Sequence, residues 1–257
     1  MQEIIRVSDV EKYYGNGDQV TKAVDRVSFA VQQGEFIGVM GASGSGKTTL
    51  LNLLSTIDRV TAGHIYYGDT DITELGEEQL SEFRKKQLGF IFQEYNLLDT
   101  LTLEENIMLV MTLHRRGKKE IQKRCRELLR ILGIEEVKDK YPYQVSGGQK
   151  QRCACARALA LANYPTLLLA DEPTGALDSL AAQTLLETFT EMNKNMGATI
   201  LMVTHDAFSA SYCSRILFLK DGRIFHELVR GEKERRAFLN EILDVMTLTG
   251  GERSHDV

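Results

Sequence analysis

The sequence contains no run that approaches the roughly 18 consecutive apolar residues of a membrane-spanning helix. Its first residues, Met-Gln-Glu-Ile-Ile-Arg, also lack the charged and apolar regions of a signal peptide. A chain without either feature is expected to stay in the cytosol. We therefore predict a cytosolic protein.

The sequence also has fewer basic than acidic residues. The 31 lysines and arginines are outnumbered by 36 aspartates and glutamates, which gives a formal net charge of -5 and a pI near 5.7. Proteins that bind nucleic-acid backbones generally carry a net basic face. The composition therefore predicts that nucleic acid is not a partner.

Cysteine is the third deficit. The four cysteines are Cys125, Cys153, Cys155 and Cys213, and they follow no paired zinc spacing. Cys153 and Cys155 fall in an alanine-rich stretch of helical character. We interpret all four as small buried hydrophobic side chains and not as metal ligands or redox partners.

What the sequence does contain is a phosphate-binding loop. Residues 35–51 predict a buried strand, a tight loop and a helix start, because a short apolar run stops at glycine and resumes with good helix formers. The loop pattern G-x-x-x-x-G-K-[ST] lets backbone N–H groups approach a phosphate, with Lys47 on the β- and γ-phosphates and the Thr48 hydroxyl on Mg²⁺. The predicted loop residues are Gly41, Ala42, Ser43, Gly44, Ser45, Gly46, Lys47, Thr48 and Thr49.

Polar side chains follow three later apolar runs. They are Gln93, Asp171 with Glu172, and His205. Ligands bind at the carboxyl ends of doubly wound parallel sheets, so these side chains should meet at one edge. We predict that Asp171 holds Mg²⁺ through its water shell, that Glu172 deprotonates the attacking water, and that His205 contacts the γ-phosphate. A single histidine is more often structural, but this position favours a phosphate contact.

A second anion site is predicted at Ser146-Gly147-Gly148-Gln149, which heads a helix over Lys150–Leu161. A serine and two glycines again present backbone donors at a helix N-terminus. The preceding residues, 93–145, look like a helical insertion in the α/β frame. Within them, Thr102 and Glu105 have the spacing of a capping box.

The remaining segments predict strands and amphipathic helices. Strand-like stretches span 4–10, 23–31 and 63–72, an amphipathic stretch spans 77–87, the strands 215–220 and 223–229 flank an Asp221-Gly222 turn, and an amphipathic stretch at 232–246 precedes a polar end. Tyr14, ahead of the phosphate loop, could stack on a purine, although tyrosine in an early strand is usually ordinary packing.

In this order, the motifs resemble the nucleotide-binding subunit of ATP-binding-cassette (ABC) transporters over residues 4–229. The resemblance implies an α/β protein with a phosphate-loop (RecA-like) ATPase core, an N-terminal antiparallel β subdomain and an α-helical subdomain. Residues 1–229 would then be the ATPase domain, with the helical subdomain inserted at about 94–160. Residues 230–257 would be a C-terminal amphipathic helix and a loose tail.

The resemblance also implies roles for particular residues. Gln93 would touch Mg²⁺ and the membrane partner, Tyr14 would stack on adenine, Asp178 would lie in the D-loop, and His205 would be the switch histidine. Residues 145–149 correspond to the family signature. They start with Val145 where leucine is more usual, a conservative change that should leave the backbone donors undisturbed.

Family behaviour further implies that two copies pair head to tail and sandwich two ATP molecules. Ser146 and the Gly147 and Gly148 amides of one copy would meet the γ-phosphate bound to Lys47 of the other. The implied partners are a second copy of the chain and an integral-membrane permease, with a sensor kinase reached through the permease. The implied location is the inner face of the cell membrane, where the chain would be a peripheral cytoplasmic subunit.

Within the family, three segments are similar to the ATPases of bacitracin-resistance (Bce-type) systems. They span 90–102, 174–179 and 211–215. The implied function is to power export or detoxification of peptide antibiotics. Macrolide-export and lipoprotein-release ATPases share part of this pattern and remain the alternative.

Two alternative functions, from other classes of protein, fit the sequence less well. Non-transport ABC proteins of DNA repair or ribosome work carry a long coiled coil or two cassettes in one chain, and this sequence has one cassette and no long heptad run. A nucleotide kinase with a phosphate loop would have no use for the segment Ser146 to Gln149.

Overall fold

The computed structural model describes residues 2–15, 20–92, 94–113, 116–160 and 166–250. The strands in this part of the chain are β1 (Glu3–Tyr14), β2 (Thr21–Gln32), β3 (Phe36–Met40), β4 (Ala62–Tyr67), β5 (Thr70–Asp71), β6 (Leu88–Ile91), β7 (Leu167–Asp171), β8 (Ile200–Thr204), β9 (Arg215–Lys220) and β10 (Arg223–Val229). The helices are α1 (Lys47–Leu54), α2 (Glu77–Gln87), α3 (Leu103–Leu113), α4 (Lys118–Ile131), α5 (Gly147–Leu159), α6 (Ser179–Met196), α7 (Ala207–Ala210) and α8 (Arg235–Gly250).

A sheet with the strand order β10-β9-β3-β8-β7-β6 forms the centre of the structure. Its strands run parallel except for β10, which pairs antiparallel with β9. Every residue of β3 and of β8 is buried, as expected for strands covered on both faces. Successive side chains point to opposite faces, so Phe36 and Met40 join one hydrophobic core, and Ile37 and Val39 join the other.

A second, antiparallel sheet has the order β2-β1-β4-β5 and packs on the core that contains Ile37. The sequence predicted one strand-like stretch over 63–72. The structure interrupts it at a turn where Gly68 has φ of +56°, and Tyr66 of β4 then pairs with Asp71 of β5. Glycine tolerates this left-handed conformation, which is why the chain can reverse there.

Three helices, α3, α4 and α5, lie between β6 and β7 in the chain and pack on one another. The predicted capping box is confirmed, because the Thr102 amide donates to Glu105 Oε2 at 2.8 Å and the Glu105 amide donates to Thr102 Oγ1 at 3.2 Å. The predicted start of the next helix at Lys150 was three residues late. Helix α5 begins at Gly147, because Ser146 already serves as its N-cap.

The four cysteines are free and buried, as predicted from their spacing. Burial raises the pKa of Cys125 and of Cys153 to about 12, so both remain thiols at neutral pH. They behave as small apolar side chains in the helical core.

The C-terminal part confirms the predicted hairpin, in which Asp221 and Gly222 have φ of +50° and +77°. Helix α8 inserts Phe238 and Ile242 into the larger core, whereas Met246, predicted on the same stripe, is partly exposed. The predicted loose tail at 251–257 lies outside the described residues. Across the described ranges, no helix combines the length and apolarity needed to cross a membrane.

Because Phe238 is fully buried, we expect Phe238→Ala to lower the free energy of unfolding by about 3–5 kcal/mol through lost burial and the cavity left behind. Urea denaturation measures this loss. Leu248, on the same helix but 77% exposed, supplies the control, and Leu248→Ala should change stability by less than about 0.5 kcal/mol. Equal effects of the two changes would contradict the packing of α8.

Candidate nucleotide-binding site

Strand pairing brings the predicted site segments to one edge of the central sheet. Met40 pairs with Thr204, and Val203 pairs with Asp171. The phosphate loop, His205 and Glu172 follow these residues directly, so they leave the sheet side by side. Gln93 follows β6 in the chain but lies outside the described residues.

Lys47 is buried beneath the phosphate loop. Its ammonium donates to the carbonyl oxygens of Gly41 and Ala42 at 2.8 and 2.9 Å. Burial lowers the pKa of Lys47, although the nearby Glu172 and Asp171 carboxylates oppose that shift. The lysine thus holds the loop from inside and places its positive charge beside the two acids.

The N-terminus of α1 offers free donors. No side chain in the described part of the molecule caps it at Gly46, and the first amides of a helix have no partner within the helix. Thr48 is exposed at the same turn, and the Ser45 hydroxyl is buried with no hydrogen-bond partner among the described residues. This combination of amides, hydroxyls and a buried ammonium fits a polyphosphate.

Two glycines of the loop are required by the protein's own backbone. A Cβ at Gly46, where φ is +103°, would lie 2.1 Å from the Ala23 carbonyl oxygen, and one at Gly41 would lie 2.2 Å from that of Leu219. Gly44, with φ of +79°, faces open space. From the sequence, all three glycines are predicted to let the backbone approach a phosphate. Packing against β2 and β9 explains why glycine is needed at Gly46 and Gly41.

Asp171 has the properties of a cation ligand. Its Oδ1 atom is buried and has no hydrogen-bond partner among the residues that the structure describes, a costly arrangement unless a ligand completes it. Burial and the neighbouring Glu172 carboxylate raise the pKa of Asp171, and Lys47 opposes them. A hard divalent cation prefers such an oxygen, so the residues present fit Mg²⁺.

Glu172 and His205 are in side-chain contact beside Asp171. His205 Nδ1 lies 2.7 Å from Glu172 Oε2, and the histidine side chain is 69% exposed. Glu172 has φ of +46°, a conformation that a residue with a Cβ seldom adopts and that must be held by its surroundings.

The predicted signature lies on the helical side of the molecule. Ser146 Oγ accepts from the Gln149 amide at 3.3 Å, and Gln149 Oε1 accepts from the Ser146 amide at 3.0 Å. A Cβ on Gly147 would lie 3.0 Å from the Tyr95 hydroxyl, and one on Gly148 would lie 3.2 Å from Ala181 Cβ. Nowhere in the described ranges does Ser146 share a hydrogen bond with the phosphate loop.

Asp178 and Tyr14 occupy well-defined positions. Asp178 Oδ1 accepts from the Ala181 amide at 2.9 Å and thereby caps α6. Tyr14 ends β1 with 42% of its surface exposed, and its hydroxyl donates to Asp58 Oδ2 at 2.6 Å. The Lys12 ammonium lies 4.9 Å from the centre of the Tyr14 ring and donates to Asp58 Oδ1 at 2.6 Å.

The residues that hold Tyr14 and the segment around position 93 in place were not predicted from the sequence. Asp58 anchors Tyr14 from 44 positions away, a separation that no local pattern signals. Within α5, Gln151 donates to the Phe92 carbonyl at 3.4 Å, and Arg157 donates to the Tyr95 and Asn96 carbonyls. These contacts tie the signature helix to both sides of position 93.

Comparison with known proteins gives three concordant findings. Residues 24–175 match the family model described as ABC transporter. The chain is 47% identical over 251 residues to the bacitracin export ATP-binding protein BceA of Halalkalibacterium halodurans, covering 96% of this chain and 97% of that protein. It is 41% identical over 224 residues to the lipoprotein-releasing system ATP-binding protein LolD of Cytophaga hutchinsonii, covering 87% and 100%.

Among solved structures, the chain is similar to an ATP-binding cassette of Methanocaldococcus jannaschii, solved as a dimer in a post-hydrolysis state bound to ADP and phosphate. The TM-score is 0.79 at 36% identity, covering 88% of this chain and 98% of the solved one. This likeness supports both the fold and the ATP-hydrolysing character of the site.

The two backbone environments in the loop predict different effects of adding a methyl group. Gly46→Ala should cost on the order of 3 kcal/mol of folding stability and abolish ADP binding, because the methyl group would collide with the Ala23 carbonyl. Gly44→Ala should cost only about 1–2 kcal/mol, the penalty for its left-handed backbone. Urea denaturation and equilibrium ADP binding measure the two effects, and equal losses would refute this account of the loop.

Proposed function

Since the chain belongs to the ABC transporter family, we propose that it is the ATPase subunit that powers a membrane permease for export or detoxification of peptide antibiotics of the bacitracin type. The family membership makes it an ATP-binding and ATP-hydrolysing transporter subunit. The observation that carries the catalytic part of the proposal is the contact between Glu172 and His205 beside Asp171 and Lys47.

In this proposal, the triphosphate lies on the loop 41–48, with the α1 amides and Lys47 on its oxygens. Thr48, Asp171 and Gln93 would hold Mg²⁺, which neutralises charge on the phosphate oxygens when bound. Asp171 Oδ1, buried with no partner among the described residues, supports this assignment. Tyr14, 42% exposed, would stack on adenine.

Glu172 would act as the general base that takes a proton from the attacking water. His205 holds one oxygen of this carboxylate, which fixes the direction in which the group points. Its ring would also contact the γ-phosphate, and Gln93 would help to place the water. General-base catalysis needs a carboxylate held within hydrogen-bond reach of the water, and the contact with His205 would supply that restraint.

A second copy of the chain would complete the site, in a head-to-tail dimer. Ser146, Gly147, Gly148 and Gln149 make no hydrogen bond to the phosphate loop within the described part of one chain, so they remain available to a nucleotide on another copy. Asp178 would lie at the same interface. The similar cassette of Methanocaldococcus jannaschii was solved as a dimer, which supports this arrangement.

A permease would dock on the surface near position 93 and residues 94–110. Leu98 is 48% exposed there, and its loop is held by the buried Asn106 side chain, which bonds the Leu98 backbone at 2.8 and 3.1 Å. The chain would thus be a peripheral subunit on the inner face of the membrane. The proposal also includes a sensor kinase reached through the permease. Within the chain, it includes a helical subdomain at about 94–160 and a separate tail from residue 230.

The alternative is a macrolide-export or lipoprotein-release ATPase. The 47% identity to the bacitracin protein, against 41% to the lipoprotein-releasing one, favours the peptide-antibiotic assignment. Deleting the coding gene should raise sensitivity to bacitracin, and the wild-type gene should restore resistance whereas its Glu172→Gln form should not. Unchanged bacitracin sensitivity with increased macrolide sensitivity or lipoprotein retention would favour the alternative.

Glu172→Gln should lower ATP hydrolysis by about 10²- to 10⁴-fold, because the amide cannot accept the proton. The variant should still bind ATP and accumulate as an ATP-bound dimer on size-exclusion chromatography. Glu191→Gln, on the exposed face of α6, is the matched control and should keep full activity. Hydrolysis at the wild-type rate in Glu172→Gln would reject the assigned base.

Tyr14→Ala should weaken ATP binding about tenfold, the usual scale of one base–aromatic stack. Tyr14→Phe keeps the ring and loses only the bond to Asp58, so its affinity should fall less. Equilibrium binding of ATP measures both, and Tyr143→Ala, at another exposed tyrosine, should leave affinity unchanged. Equal affinities of Tyr14→Ala and the wild type would place adenine elsewhere.

A further inference from the structure

The loops that carry Glu172 and His205 are joined by a short chain of hydroxyl groups. Thr174 Oγ1 lies 3.0 Å from Ser209 Oγ, and Ser209 Oγ lies 2.6 Å from Asp206 Oδ2. Thr174 follows Glu172 by two positions, and Asp206 directly follows His205. This series of contacts therefore starts beside Glu172 and ends beside His205.

The direction of these hydrogen bonds follows from the donors available. An ionised carboxylate only accepts, so Ser209 donates its single hydroxyl hydrogen to Asp206. Ser209 can then only accept from Thr174, and Thr174 must be the donor. Asp206 also accepts from the backbone amides of Phe208 and Ser209 at 3.3 and 2.8 Å, which fixes the carboxylate at the start of α7.

At the Glu172 end, these hydrogen bonds meet a backbone that needs support. Glu172 has φ of +46°, and the turn after it is closed by the Gly175 amide on the Glu172 carbonyl and the Leu177 amide on the Thr174 carbonyl, each at 3.0 Å. A residue in this conformation persists only where its surroundings hold it. Ser209 is fully buried, so water does not compete for its two bonds.

We propose that Ser209 is a positioning residue for ATP hydrolysis. Its hydrogen bonds to Thr174 and Asp206 join the loops that carry Glu172 and His205, and so keep these two side chains in fixed positions relative to each other. The inference rests on the catalytic roles proposed above for that pair. Ser209 is fully buried and would contact neither the nucleotide nor the attacking water. Its contribution is to keep the Glu172 carboxylate aimed in a fixed direction.

Ser209→Ala tests this proposal, with Ser211→Ala as the matched control. Ser211 is also fully buried two positions away, but its hydroxyl donates to the Phe208 carbonyl at 2.6 Å and does not join the two loops. Ser209→Ala should lower kcat about tenfold, since small misplacement of a reacting group is costly, and leave the KM for ATP within about twofold. Ser211→Ala should lower stability to a similar extent with kcat near the wild-type value.

Two changes at Thr174 separate the hydrogen bond from packing. Thr174→Val keeps the branched shape and removes the donor, so kcat should fall in the same direction as in Ser209→Ala. Thr174→Ser retains the hydroxyl and should restore most of the rate. If Ser209→Ala fails to fold, this pair of variants decides the question.

Hydrogen exchange gives a readout that does not depend on activity. In the full-length chain, Ser209→Ala should speed exchange of the Gly175 and Leu177 amides, whereas Ser211→Ala should not. A kcat in Ser209→Ala equal to that of Ser211→Ala, with unchanged exchange, would overturn the inference. If Glu172→Gln also retained full activity, the proposed catalytic roles would fail as well, and that result is distinct from failure of the positioning role alone.

Discussion

The parallel pairing of β3 with β8, and of β8 with β7, is the constraint on which the rest of the structure depends. It sets Met40 beside Thr204 and Val203 beside Asp171, so three loops leave the sheet at neighbouring points. The residues of these loops are far apart in sequence, and only this register brings them together. The pairing is secured by burial, since β3 and β8 have no exposed residue and face two hydrophobic cores.

The phosphate loop is shaped by its neighbours as much as by its own sequence. Gly46 packs closely on the Ala23 carbonyl of β2, and Gly41 packs closely on the Leu219 carbonyl of β9. The Lys47 ammonium donates two hydrogen bonds to carbonyl oxygens of the loop. The antiparallel sheet therefore takes part in forming the site, although its only predicted ligand contact is Tyr14. A shift of that sheet would move the Ala23 carbonyl and therefore change the position of the phosphate-binding amides next to Gly46.

The residues predicted to bind nucleotide lie on two separate parts of one chain. Lys47, Asp171, Glu172 and His205 gather at the sheet edge, whereas Ser146 caps α5 on the helical side. The same helix is bonded through Gln151 and Arg157 to the segment on either side of position 93, the predicted point of contact with a permease. Movement of α5 would thus carry Ser146 and the residues on either side of position 93 together.

Local sequence patterns were enough to predict the family and the residues expected at the nucleotide site, because the phosphate loop, the strand ending in Asp171 and Glu172, and the hairpin at Asp221 each have a direct physical cause. They also identified the Thr102 capping box and the buried cysteines. The tertiary structure alone decided which groups hold these residues. Asp58 contacts Tyr14, Ala23 contacts Gly46, and Ser209 contacts Thr174. These are contacts between distant segments, and they depend on sheet register and packing that no local sequence pattern encodes.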